Sequence, residues 1–296
     1  MPQQGYDAPG VRFRVPPLAC DCHMHVFGEL ALYPPARQRS YTPQAALLPA
    51  WRQVAQSLGI ERVVVVQASA YGADNRCVVD ALLELGPVAR GVAQLDETTS
   101  SPQLEALHAA GVRGVRLNPK SAGVEDLEGL RVLVRNTAAK VAPYGWHVEL
   151  HAKLAQICAL ADTIGQAPAP LVLDHMGGAR ADEGRAAIRP LLDLLARGRC
   201  WAKLSGAYRV SQRESGFEDA TPIAKALIEA NPDQVVWGTD WPHTRAHGGA
   251  DGHEPPPIGF RALNQAALLD LLADASGDQA TFSRILVANP ARLYGF

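Results

Sequence analysis

The amino-acid sequence predicts a single (β/α)8 barrel, and three observations carry that prediction. Eight short apolar runs rich in β-branched residues recur along the chain. A helical pattern follows each of them. The length, 296 residues, suits one barrel of this class. Runs that are apolar on both faces are the mark of parallel strands covered by helices.

The first run is LACDCHMHV (18–26), followed by RVVVVQ (62–67), GVAQL (91–95) and VRGVRLN (112–118). The second half supplies WHVELH (146–151), LVLDH (171–175), WAKLS (201–205) and VVWGTD (235–240). Between them lie the helical stretches ALLPAWRQVAQSL, VVDALLEL, PQLEALHAA, LRVLVRNTAAKVA, LAQICALADTI, AIRPLLDLLA and TPIAKALIEA, with ALNQAALLDLLA after the last strand. A doubly wound open sheet is the alternative, but the first run ends in histidines where such a sheet carries a Gly-rich nucleotide loop. The whole chain, 1–296, reads as one domain. Residues 1–17 form a polar Pro/Gly arm, and the long loop 243–259 is long enough to act as a lid.

Charge narrows the partners. Lys and Arg number 28 against 30 Asp and Glu, a formal net charge of −2, which gives no footprint for nucleic acid or an anionic membrane. No apolar run approaches the length that spans a bilayer. Five scattered cysteines and no signal-peptide pattern point to the cytoplasm. A homo-oligomer is compatible with this composition.

Nine histidines are the unusual feature, and a barrel places its chemistry where strands end. In the first run His23 and His25 alternate onto one face about 7 Å apart, with Cys22 and Met24 on the other. By the same alternation Cys20 and Cys22 point away from the histidines, as core. The sixth run ends in His175, followed by two glycines that permit close backbone approach. The eighth ends in Asp240, placed to act as a general base beside imidazoles. On the fifth, His151 is terminal, while His147 and Glu149 read as a structural pair toward the closed end. Arg116 and Asn118 share a face of the fourth run, and Arg209 follows the seventh; both guanidiniums suit a carboxylate. His108, His247 and His253 read as exposed.

A first-strand His-x-His, a later strand-end His and an Asp closing the eighth strand resemble the amidohydrolase superfamily of metal-dependent hydrolases. More narrowly the chain is similar to the lactone hydrolases typified by 2-pyrone-4,6-dicarboxylate lactonase. The resemblance rests on DCHMHVFG, RSYTP, GADNR, GVRGVRLN, GWHVELH, VLDHMG, WAKLSGAYR, VVWGTDWPH and NPARLYGF, blocks that span nearly the whole chain. It implies that His23, His25 and His175 surround a scissile carbonyl and that Asp240 activates the attacking water. It also implies substrate-binding roles for Tyr41, Arg116 and Arg209. Three departures stand out: Gly178 where the lactonase has an Arg, only Lys120 after the fourth-strand Asn118 where it has another Arg, and His151 where it has a Tyr. They imply a substrate with fewer or differently placed carboxylates.

The function expected is therefore hydrolysis of a small carboxylated lactone, in catabolism of aromatic- or sugar-derived acids. A metal-dependent decarboxylase or hydratase, a lactone isomerase, and an inactive scaffold are the rivals. His23, His25, His175 and Asp240 also make a Zn2+ set in which bound water would lose its proton near neutral pH. The resemblance implies that no metal is obligatory, with one divalent ion as the alternative.

Overall fold

The computed structural model describes residues 6–119, 124, 126–245, 255 and 257–296. Lys120, His247, His253 and most of the expected lid 243–259 lie outside the described residues.

Eight strands, β1 (Cys20–Met24), β2 (Arg62–Val66), β3 (Ala89–Ala93), β4 (Val112–Leu117), β5 (His147–Leu150), β6 (Leu171–Leu173), β7 (Trp201–Leu204) and β8 (Val235–Trp237), pair in chain order in one parallel sheet. Closure comes just past β8. The amide of His25 donates to the carbonyl of Trp241 (2.8 Å), and that of Asp240 to the carbonyl of His23 (2.8 Å). The open-sheet alternative is thereby excluded, and the same two bonds fix Asp240 against the histidines.

Helices alternate with strands as the pattern predicts: α1 (Leu48–Leu58), α2 (Arg76–Leu85), α3 (Ser101–Ala109) and α4 (Leu127–Val141) in the first half. The stretch LAQICALADTI, expected as one helix, is broken at Leu160 into α5 (Leu154–Ala159) and α6 (Ala161–Gln166). α7 (Arg189–Ala196), the short α8 (Ala207–Val210), α9 (Thr221–Ala230) and α10 (Gln265–Ser276) complete the shell. Local chemistry sets several ends. Asp126 caps α4 by accepting from the amide of Gly129 (2.7 Å), and Gly59 stops α1 in the left-handed conformation.

Two apolar layers result. Val63 and Val65 of β2 face the helices, whereas Val64 and Val66 join Cys20, Cys22, Val92, Val172, Trp201 and Val236 inside the barrel. Below them the C-terminal Tyr294 closes the floor, fully buried, its ring edge-on to His147 at 5.0 Å.

This interior corrects the reading of the first strand. Pairing of β1 with β2 slips between Asp21 and Met24, so strict alternation fails there. Cys20 and Cys22 face the barrel interior beneath His23 and His25, and Met24 turns out to the helix layer. Asp21 points outward too, accepting from the Thr239 hydroxyl (2.6 Å) and the Trp51 indole (3.4 Å). His108 is not free in solvent either: its Nδ1 accepts from the Trp146 indole at 2.9 Å.

Candidate active site

Four side chains that the sequence singled out meet at the C-terminal mouth. The His23 ring lies 4.9 Å from that of His25 and 5.0 Å from that of His175. Asp240 Oδ1 stands 3.6 Å from His23 Nε2 and 3.5 Å from His25 Nε2, and Asp240 Oδ2 is 4.0 Å from His175 Nδ1. All four are buried. Strained backbone helps aim them: His175 (φ 50°) and Asp240 (φ 61°) adopt the left-handed region that L-residues avoid. Gly206 (φ 59°) is needed as glycine, because a Cβ there would sit 2.8 Å from His175 Nδ1 and 3.2 Å from Asp240 Oδ2. At Gly178 a Cβ would collide with the carbonyl oxygen of Ala152.

The two oxygens of Asp240 have different work. Oδ2 accepts from the Tyr208 hydroxyl (2.6 Å) and Arg209 Nε (2.8 Å), while Oδ1 has no hydrogen-bond partner in the protein. Burial pushes this carboxyl upward, but Arg209 and the histidines outweigh it and hold it well below the usual carboxylate range. Burial, and then the Asp240 charge, drive the Tyr208 phenol well above its usual value. Burial likewise keeps two of the imidazoles neutral: His175 falls to about 4, and His23, with Lys203 adding to the effect, lies well below its ordinary value.

The expected anion receptors are in the mouth but already engaged. Arg116 donates from Nε to Asp174 Oδ2 (2.8 Å), and its Nη2 lies 3.3 Å from His151 Nδ1. His151 is edge-on to His175 at 4.9 Å, and burial with Arg116 lowers its pKa well below normal. Arg209 bonds Asp240 and the Thr244 hydroxyl (2.9 Å), with its side chain a quarter exposed toward the mouth. Tyr41 is buried, its ring edge-on to Phe27 at 6.3 Å, and Asn118 is half-buried at the end of β4.

Four participants escaped the sequence reading. Asp174, one residue before His175, holds Arg116 and lies 3.6 Å from His23 Nδ1. Lys203, fully buried in β7, approaches His23 Nδ1 at 3.2 Å, forms a short ion pair with Glu149 and stands 3.5 Å from Asp174. Ser205 meets His175 Nδ1 at 3.0 Å, and Tyr208 bonds Asp240. His147 and Glu149 do pair, at 3.4 Å, yet Glu149 also reaches the histidines through Lys203. A lone lysine inside an apolar run was the available signal.

By residue type a divalent ion is suited to this cluster: one ligand atom each from His23, His25 and Asp240 lies within 4.8 Å of the others, and so it is for His23, Asp174 and His175. By protonation the first of these sets does not fit. His25 Nδ1 lies 2.8 Å from the carbonyl of Val66, which only a Nδ1–H can satisfy, so its Nε2 lone pair is free for a metal. His23 Nδ1 instead faces the Lys203 amine at 3.2 Å, a donor that matches a proton on Nε2. Among the described residues, Arg116, Lys203 and Arg209 also offset Glu149, Asp174 and Asp240, so no net negative charge remains to hold a dication.

Comparison with known proteins matches this architecture. The 4-sulfomuconolactone hydrolase of Rhizobium radiobacter is 33% identical over 290 residues, covering 96% of this chain and 92% of its own. The 2-pyrone-4,6-dicarboxylate hydrolase of Comamonas testosteroni is 33% identical over 294 residues, covering 96% and 92%. A crystal structure of an apo protein from Agrobacterium tumefaciens aligns with a TM-score of 0.78 at 26% identity, over 95% of this chain and 97% of that one. The family model described as amidohydrolase matches residues 20–296, from the first barrel strand to the tyrosine floor, and the chain belongs to the amidohydrolase family.

Proposed function

We propose that the protein hydrolyses the ester bond of a small carboxylated lactone, in the catabolism of aromatic-derived acids. The observation that carries this reading is the bare Asp240 Oδ1 facing two imidazole Nε2 atoms in a buried cluster, in a chain a third identical to two lactone hydrolases. His25 Nε2 and Asp240 Oδ1 are both acceptors 3.5 Å apart, an arrangement satisfied by a water that donates to each.

The reaction follows from those positions. The water oxygen adds to the lactone carbonyl while Asp240 takes its proton, and His23 and His175 donate to the oxyanion. The ring C–O bond then breaks, the proton returns from Asp240 to the leaving oxygen, and the product carries a new carboxylic acid that ionises. Arg209, with Arg116, Asn118, His151 and Tyr41 around the mouth, holds the substrate carboxylate. When that carboxylate draws on Arg209, the cation lowering the pKa of Asp240 is shared, and the base strengthens as substrate binds.

The chemistry needs no resident metal in this proposal. A divalent ion held by His23, His25 and Asp240 would supply Lewis acidity, at odds with the protonation of His23. Among the described residues no helix is long and apolar enough to cross a membrane, and the five cysteines are unpaired, which supports a cytoplasmic setting. The test is a panel of carboxylated muconolactones, pyrones and sugar-acid lactones followed by a pH indicator, before and after chelation. Acid release that survives chelation is expected; no acid release from any carboxylated lactone overturns the reading.

A further inference from the structure

Lys203 is placed where neither its strand nor the hydrolysis explains it: a fully buried amine between two buried carboxylates, with His23 Nδ1 at 3.2 Å. An ammonium has protons and no lone pair, so the His23 nitrogen it meets must be the acceptor. A proton on Nδ1 would point at a cation.

We propose that Lys203 is a positioning residue that locks His23 as the Nε2–H tautomer, making it a hydrogen-bond donor to the substrate carbonyl and excluding a divalent metal from the barrel mouth. The neighbouring rings then have opposite roles set by what lies behind each. His25, backed by the Val66 carbonyl at 2.8 Å, presents a lone pair; His23, backed by Lys203, presents a proton. One face of the pocket thus accepts from water while the other donates to the carbonyl.

The alternative partner for His23 Nδ1 is also in the structure. Asp174 Oδ1 lies 3.6 Å away and has no hydrogen bond of its own. Without the lysine, His23 Nδ1–H turns to that oxygen, freeing Nε2. That is the carboxylate–histidine arrangement found behind metal-ligating imidazoles. Lys203 therefore separates two states of one site: a metal-free donor site with the amine, and a His23–His25–Asp240 metal site without it.

The donor role rests on the lactone-hydrolase reading, whereas the tautomer and the metal exclusion do not, so the two fail separately. The test begins with ring nitrogen–proton correlation spectra of the 15N-histidine-labelled wild type at neutral pH, with His23 and His25 assigned by His23→Gln and His25→Gln. The expected result is His23 protonated at Nε2 and His25 at Nδ1. His23 protonated at Nδ1 overturns the proposal. Lys203→Met alone leaves Glu149 and Asp174 short of a cation, so the companion variant is Lys203→Met with Glu149→Gln. In it, calorimetric titration with zinc chloride is expected to show affinity at least about tenfold above wild type, the size of effect such supporting groups have on metal affinity. A folded double variant with unchanged zinc affinity also overturns the proposal. If the variant does not fold, the wild-type spectrum decides.

Discussion

Replacing Asp240 by Asn removes the base while keeping its shape. The amide oxygen can still accept from Tyr208 and Arg209 at the 2.6 and 2.8 Å positions, but both bonds lose their ionic character, a cost of about 1–2 kcal/mol in stability. At Oδ1 the change is larger in kind: a donor NH2 replaces the acceptor that faces His23 and His25, and the carboxylate that takes the water's proton is gone. General-base catalysis is worth roughly 10²- to 10⁴-fold, or about 3–5 kcal/mol of barrier. Steady-state kinetics on the lactone found by the panel should therefore show kcat down by at least about 10²-fold, with KM within a few-fold because the mouth arginines remain. A circular-dichroism melt separates this from unfolding. A folded Asp240→Asn retaining kcat within about tenfold of wild type would refute the assignment of Asp240 as base.

Three further outcomes follow from the same geometry. His175 and His243 are buried with pKa values lowered to about 4, whereas the unfolded chain protonates them near 6.5. Between those values the unfolded state binds more protons, so stability rises with pH, and each histidine removes roughly 2 kcal/mol by pH 5; urea midpoints that are flat from pH 7 to 5 would contradict this. Gly206→Ala forces a Cβ into contact with His175 and Asp240 at φ 59°, and should cost about 1–2 kcal/mol in stability and most of the activity; wild-type turnover would show the mouth to be looser than described. Arg209→Gln should raise KM for carboxylated lactones and move the acid limb of the kcat/KM profile to higher pH, because the guanidinium is the foremost group pulling Asp240 down. An unmoved limb would assign the lowering elsewhere.

The barrel and the meeting of four strand-end side chains at its mouth were legible because both are written locally. Apolar runs mark the strands, and His23, His25, His175 and Asp240 sit at the ends of three of them. What was not legible depends on partners across the barrel. Lys203 gains meaning only from Glu149 and Asp174 on strands far away in sequence, and Arg116 looked like a free anion receptor because its carboxylate, Asp174, lies 58 residues on. The cysteines were misplaced for a different reason. Alternation holds only while register does, and the slip between Asp21 and Met24 reverses the faces of β1 within its five residues.

In the proposed reaction, water activated at Asp240 attacks the lactone carbonyl. Turnover in oxygen-18-labelled water tests it most directly, with the product analysed by mass spectrometry for the position of the label. One labelled oxygen per turnover is expected in the newly formed carboxylate and none in the released hydroxyl. A ring-opened or rearranged product with no label in that carboxylate would contradict it, because the nucleophile would then have come from the substrate or the water would have attacked the alkyl carbon.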